Sequence, residues 1–81
     1  MQSIEQKAKQ IIAEVLEVNE IQLTPEVGIG DIDSWDSVRQ LIIITSLEES
    51  FDISFPEDVL FELTNIETIL AQIEAILNAR Q

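Results

Sequence analysis

Two serines three positions apart, Ser34 and Ser37, each directly follow an aspartate in the stretch DIDSWDSVRQLIIITSLEESF, residues 31–51. A serine placed like this has three chemical uses: nucleophile, neighbour of a metal ion, or anchor for a modifying group. Nucleophilic catalysis needs a base within reach. The chain has no histidine, so the commonest general base and the commonest metal ligand are both missing. The amines of Lys7 and Lys9 belong to a different segment, and nothing in the sequence pairs them with a serine. Neither serine sits in the strand–turn–helix setting of a hydrolase elbow. Hydrolysis is a distant reading.

Metal binding fares no better. Asp31, Asp33 and Asp36 superficially match a calcium loop, which requires glycine at its sixth position and glutamate at its twelfth. Counted from Asp31, those positions hold Asp36 and Ile42. A dedicated metal site is not expected. The third use survives. A serine in the first turn of a helix meets unpaired N–H groups and the positive end of the helix dipole, where an attached phosphate ester is stabilised. An aspartate just before it can cap the same helix. Plain helix-start serines occupy such positions too, so position alone leaves both readings open for Ser34 and for Ser37.

Four segments carry the helical spacing of apolar residues that would position these serines. The first runs from Ser3 to Glu17, with Ile4, Ala8, Ile11, Ile12, Val15 and Leu16 on one stripe and a Ser3–Gln6 capping box. The second covers Ser37 to Ser50, with Val38, Leu41, Ile44 and Leu47 expected inward and Phe51 closing it. The third is short, from Pro56 to Leu63. Pro56 suits its first helical position, and Ser54 with Glu57 has capping-box spacing. The fourth runs from Ile66 to Ala79, capped by Thr64 and Glu67, and buries Ile66, Ile69, Leu70, Ile73, Ile76 and Leu77. The loop between the first two contains a proline and both glycines of the chain. Its apolar residues Ile21, Leu23, Val27, Ile29 and Ile32 are expected to pin it over the core. The expected fold is all-α: a small four-helix bundle of three longer helices and one short one, in a single domain over residues 1–81.

Composition narrows the partners. Sixteen acidic against four basic residues give a net charge of −12, which repels phosphate backbones and anionic lipid. Nucleic-acid binding and membrane insertion are not expected. The charge fits a protein that meets basic patches on its partners, with electrostatics speeding encounter, or one whose acidity only maintains solubility. With 46% hydrophobic residues the chain should fold. It has no cysteine, so disulfides and thiolate metal sites contribute nothing. The residues MQSIEQKAKQII do not form a signal peptide, and a monomeric, cytoplasmic protein is expected.

The ordered set of motifs resembles the acyl carrier protein family. Asp36-Ser37-Val38 matches that family's start of the second helix, and Leu47-Glu48-Glu49-Ser50-Phe51 matches its end. Pro56-Glu57-Asp58 matches the third helix, and Thr64 the approach to the fourth. The resemblance covers essentially the whole chain and separates the serines. Ser37 stands in the family's relation to Val38, Leu41, Leu47 and Phe51, whereas Ser34 lies nearly one turn early and precedes Trp35.

The resemblance implies that Ser37 receives a covalent 4′-phosphopantetheine arm from coenzyme A through a separate phosphopantetheinyl transferase, with Asp36 as the adjacent motif residue. The arm's thiol would hold acyl intermediates as thioesters, and the chain would be a carrier rather than an enzyme. Its further partners would be acyl-loading and acyl-transferring enzymes with basic docking patches. They would meet Trp35, Val38, Arg39, Ile42, Glu48 and Glu49. Fatty-acid-synthesis carriers usually bear acidic residues soon after the serine, where this chain has Arg39 and Ile42, and a glycine is common where it has Trp35. These departures favour a specialised polyketide-like, surface-polysaccharide or other acyl pathway. Each has a plainer reading, in which Trp35 covers the loop and Ile42 packs inward. The rival from another class is an unmodified acidic helical interaction module.

Overall fold

The structure, a computed structural model, describes residues 3–79. Its helices are α1 (Ile4–Leu16), α2 (Ser37–Phe51), α3 (Glu57–Leu60) and α4 (Ile66–Ala79), with one 3₁₀ turn at Glu20–Gln22. Among the described residues no strand forms; there are two isolated bridges, Gly28 with Asn65 and Ile29 with Ile32. The all-α bundle read from the sequence is the observed fold.

α1 begins as expected. The Ser3 hydroxyl accepts from the Gln6 N–H at 3.1 Å and the Gln6 side chain accepts from the Ser3 N–H, a complete capping box. Ala8, Ile12, Ala13 and Leu16 are its buried face. They meet Ile43, Ile44 and Leu47 of α2 and Ile66, Ile69 and Ile73 of α4 in one core, with Leu23, Trp35, Ile53, Phe55 and Leu63 supplied by the connections. Full burial of each large side chain contributes about 1.5–3 kcal/mol, so the shared interior stabilises all three long helices at once. Lys7 ties the far end of α2 to α1. Its ammonium donates to the Ser50 carbonyl at 3.0 Å and lies 4.8 Å from the Phe51 ring centroid, where a cation suits the negative end of the helix.

The rotation of α2 differs from the expected one. Val38 and Leu41, expected inward, are 65% and 68% exposed, while Ile43 and Gln40 join Ile44 and Leu47 on the inner side. Trp35, just before the helix, is the cause. Its indole is buried and its Nε1–H donates to Gln40 Oε1 at 2.7 Å. That bond turns Gln40 inward, and at about 100° per residue Val38 and Leu41 then fall on the outer side.

Both later helix starts also depart from expectation. Pro56 is the extended residue before α3, not its first helical residue, and no side chain caps the helix there. A box would have to start at residue 56, so Ser54 stands two places too early to close one with Glu57. α3 stops at Leu60. The Glu62 and Leu63 N–H groups then fold back to the Val59 and Leu60 carbonyls, which delivers Leu63 into the core. At α4 the cap is Asn65 with Thr68, not Thr64 with Glu67. Asn65 Oδ1 accepts from the Thr68 N–H at 2.8 Å, and Thr68 Oγ1 accepts from the Asn65 N–H at 3.3 Å.

The long loop is pinned as expected through Leu23, Val27 and Ile32, but Ile21 and Ile29 face outward. Its middle runs against the start of α4. The Val27 and Pro25 carbonyls accept from the Ile66 and Glu67 N–H groups at 2.9 and 3.0 Å, and the Thr64 carbonyl accepts from the Ile29 N–H at 3.0 Å. Gly28 permits this approach, because a Cβ there would lie 2.0 Å from the Thr64 carbonyl oxygen and 3.0 Å from Asn65 Cα. Both opposing atoms are backbone and cannot swing aside. Gly28→Ala should therefore destabilise the fold by about 1–3 kcal/mol, the usual cost of overpacking. A urea midpoint equal to that of the parent protein would show that the two segments do not pack this closely.

Candidate functional site

α2 starts with Asp36 as its N-cap, and the carboxylate accepts from the Arg39 N–H at 2.9 Å. Ser37 is thus the first helical residue. It is exposed, and among the described residues its hydroxyl has no hydrogen-bond partner. Helix geometry leaves the first-turn N–H groups of Ser37 and Val38 without intrahelical carbonyls, so the positive end of the dipole opens beside that hydroxyl. This favours an attached phosphate by about 0.3–1 kcal/mol. The nearby carboxylates of Asp33 and Asp36 work against it. A group bonded covalently to the serine does not depend on that balance to stay in place.

Ser34 is differently placed. Its hydroxyl donates to the Leu16 carbonyl at 2.8 Å and is half-buried, so it fastens the loop to the end of α1.

Beside Ser37 the surface is apolar. Val38, Leu41 and Ile42 of α2 and Leu60 and Phe61 at the end of α3 make up five of the seven large hydrophobic side chains that are exposed among the described residues, with Phe61 at 88%. Leu41 lies one turn beyond Ser37 on the same side of the helix. It joins Glu57, Leu60 and Phe61 in lining an open groove of about 500 Å³. An exposed apolar strip of this kind marks a surface that meets something. Leu60 and Phe61 were not singled out in the sequence, and Leu41 was expected inward rather than on this surface. The signal for Leu41 was ambiguous, because its segment is apolar almost all round.

The other residues named from the sequence divide. Trp35 was expected beside a partner surface but is 1% exposed and belongs to the core; its plainer reading, as cover for the loop, is the correct one. Ile42 does not pack inward. Glu49 is exposed. Glu48 is half-buried and its carboxylate accepts from the Phe55 N–H at 2.8 Å, closing the turn after α2. Arg39 reaches back to α1, where its guanidinium donates to the Val15 carbonyl and approaches Glu17 at 3.5 Å. Gln40, absent from the sequence reading, holds the site's back wall. It accepts from the Trp35 indole and donates to the Leu63 carbonyl, joining loop, α2 and the α3–α4 connection. Its signal was a lone amide at the inward phase of Ile44, Leu47 and Phe51.

Comparison with known families matches residues 6–73 to the one described as the phosphopantetheine attachment site. That family attaches 4′-phosphopantetheine covalently to a serine. The start of α2 fits such a group: an exposed serine hydroxyl without an internal partner, at an open helix N-terminus, with an apolar strip beginning one turn away.

Gln40→Leu should leave the buried indole N–H and the Leu63 carbonyl unpaired, at a cost of about 1–3 kcal/mol. Trp35 is the only tryptophan, so its fluorescence reports the transition. An unchanged denaturation midpoint would remove Gln40 from this role.

Proposed function

The chain belongs to the phosphopantetheine-attachment family of carrier proteins, and from that premise we propose that Ser37 is its attachment residue and that it carries acyl groups between enzymes. The observation that supports this is the contrast between the two serines. Ser34 spends its hydroxyl on the Leu16 carbonyl, while Ser37 presents an exposed one at the first position of a capped helix.

In the transfer from coenzyme A, the Ser37 Oγ–P bond forms as the P–O bond to adenosine 3′,5′-bisphosphate breaks. The serine proton would pass to a base on the transferase. Asp36 keeps the first turn closed through the Arg39 N–H and so holds the hydroxyl on a rigid element. When bound, the arm supplies the terminal thiol that a cysteine-free chain lacks and on which an acyl group rides as a thioester. The chain itself does no bond-making on that cargo.

Partner enzymes would dock on the strip of Val38, Leu41, Ile42 and Phe61, with Glu57 lining the same groove and Glu62 next to Phe61 in the chain. The expected basic docking patch is thereby refined to an apolar surface with a cationic margin. Long-range attraction to net charge −12 speeds encounter, and the apolar contact supplies the grip. Ile42, exposed where fatty-acid-synthesis carriers usually bear acid, supports a dedicated acyl pathway. Among the described residues no helix is long and apolar enough to cross a membrane, and we place the protein in the cytoplasm as a monomer.

Incubation with coenzyme A and a promiscuous transferase should raise the intact mass by one phosphopantetheine. Ser37→Ala should gain nothing, whereas Ser34→Ala should reach the full gain at end point; the reverse pattern would move the anchor to Ser34. Phe61→Ser should leave the unfolding free energy within about 0.5 kcal/mol of the parent, as an exposed substitution does. It should slow hand-off of the acyl group to the cognate enzyme, and equal rates would take Phe61 out of the docking surface.

A further inference from the structure

A helix ends with carbonyls that have no intrahelical partner. At the end of α1 two consecutive ones, on Val15 and Leu16, are taken by side chains that flank Ser37. The Leu16 carbonyl accepts from the Ser34 hydroxyl at 2.8 Å, three residues before it. The Val15 carbonyl accepts from the Arg39 guanidinium, two residues after it. The second nitrogen of the same guanidinium faces the Glu17 carboxylate at 3.5 Å. Glu17 itself holds a left-handed backbone at φ 58° and sends its own N–H back into α1. The Ser37 turn is therefore fastened to one rigid helix end on both of its sides.

We propose that Ser34 and Arg39 are positioning residues, a two-point latch that holds the modification turn against α1 so that the Ser37 hydroxyl meets the transferase already in its reactive setting. The proposal rests on Ser37 being the attachment residue. It assigns Arg39 inward rather than to partner contact, and gives Ser34, which carries no arm, a part in the modification of its neighbour. The physical argument is population. A turn that spends part of its time detached offers the transferase fewer competent molecules, and the apparent binding constant weakens by that fraction. Chemistry at the hydroxyl, once bound, is untouched. Loss of the latch should accordingly appear in KM and spare kcat. Arginine suits the task, because its planar fork serves a carbonyl and a carboxylate together where a lysine serves one.

Two measurements on the full-length, unmodified protein test this. The first is amide hydrogen exchange in Ser34→Ala, Arg39→Gln and Arg39→Lys. Exchange at the Trp35 and Asp36 amides, which the Ile32 and Ser34 carbonyls hold, should quicken about tenfold in Ser34→Ala and in Arg39→Gln, the change that loss of one net hydrogen bond produces. It should quicken less in Arg39→Lys and stay unchanged at Ile69–Ile73 of α4. The second is transfer kinetics with coenzyme A and a promiscuous transferase. KM for the protein should rise severalfold in Ser34→Ala and Arg39→Gln with kcat within about twofold of the parent, and Arg39→Lys should fall between. Unchanged exchange at the Trp35 and Asp36 amides overturns the latch. So does a KM that rises only in the Arg39 variants without faster exchange, which would make Arg39 a docking residue. Should Arg39→Gln fail to fold, Ser34→Ala carries both measurements, since its half-buried hydroxyl faces Leu16 and offers the transferase no contact to lose. A parent protein that gains no mass refutes Ser37 as the anchor, while the exchange experiment still decides whether the latch exists.

Discussion

Backbone groups at helix ends must find partners, and in this chain the loop between α1 and α2 meets that demand at both of its sides. Glu17 and Val18 turn their N–H groups back to α1 carbonyls, and Ser34 takes the Leu16 carbonyl. Midway, the Pro25 and Val27 carbonyls accept from the first N–H groups of α4. A buried polar group left unpaired costs about 1–3 kcal/mol. A domain of ordinary stability has only about 5–15 kcal/mol in total. Two or three such defects would consume much of the fold, so the loop's path is fixed rather than free. Its fixed path delivers Asp36 to the start of α2 and leaves the next residue, Ser37, facing solvent.

What could be read from sequence follows from how local each feature is. α1 and α4 show clean stripes and were placed to within a residue or two at their ends; the Ser3–Gln6 box is a four-residue pattern and was legible as one. The separation of Ser34 from Ser37 came from the order of family motifs. α2 was found, but its rotation was not, because VRQLIIITSL is apolar on nearly every side and periodicity has little to choose between. The deciding term is a bond from Trp35 to Gln40, two polar atoms five residues apart. Thr64 and Asn65 are both competent caps in adjacent positions, and only the path of the loop against α4 selects the second. Arg39 is the plainest case. A cation two places after a serine looks like surface chemistry until its partners, more than twenty residues earlier, come into view.

The exposed apolar strip raises the question of why α2 does not rotate to bury it. Turning the helix by one position would bring Leu41 inward, worth about 1.5–3 kcal/mol if burial were complete. The same turn would carry Gln40 away from the Trp35 indole and the Leu63 carbonyl and pull Ile44 or Leu47 out of a packed interior. A buried polar group left unpaired and a core side chain withdrawn each cost as much as the burial returns. The outward face is thus held out by the better packing of the inner one.

Charge then determines how such a face can be used. Lys7 and Lys9 and Arg39, the cations among the described residues, are each engaged within the chain, by Ser50 and Phe51, by Glu5, and by Val15 and Glu17. Little positive charge remains free to offset the sixteen acidic residues locally, and the net charge is −12. On the reading proposed above, copies of the chain would repel one another at the range of the screening length, about 8 Å in physiological salt, which would keep their apolar strips apart. A cationic enzyme would feel the opposite force and be drawn to the distance at which apolar contact takes over. Under the proposed function, acid and grease on one small surface would have separate duties, the first choosing who approaches Ser37 and the second how long they remain.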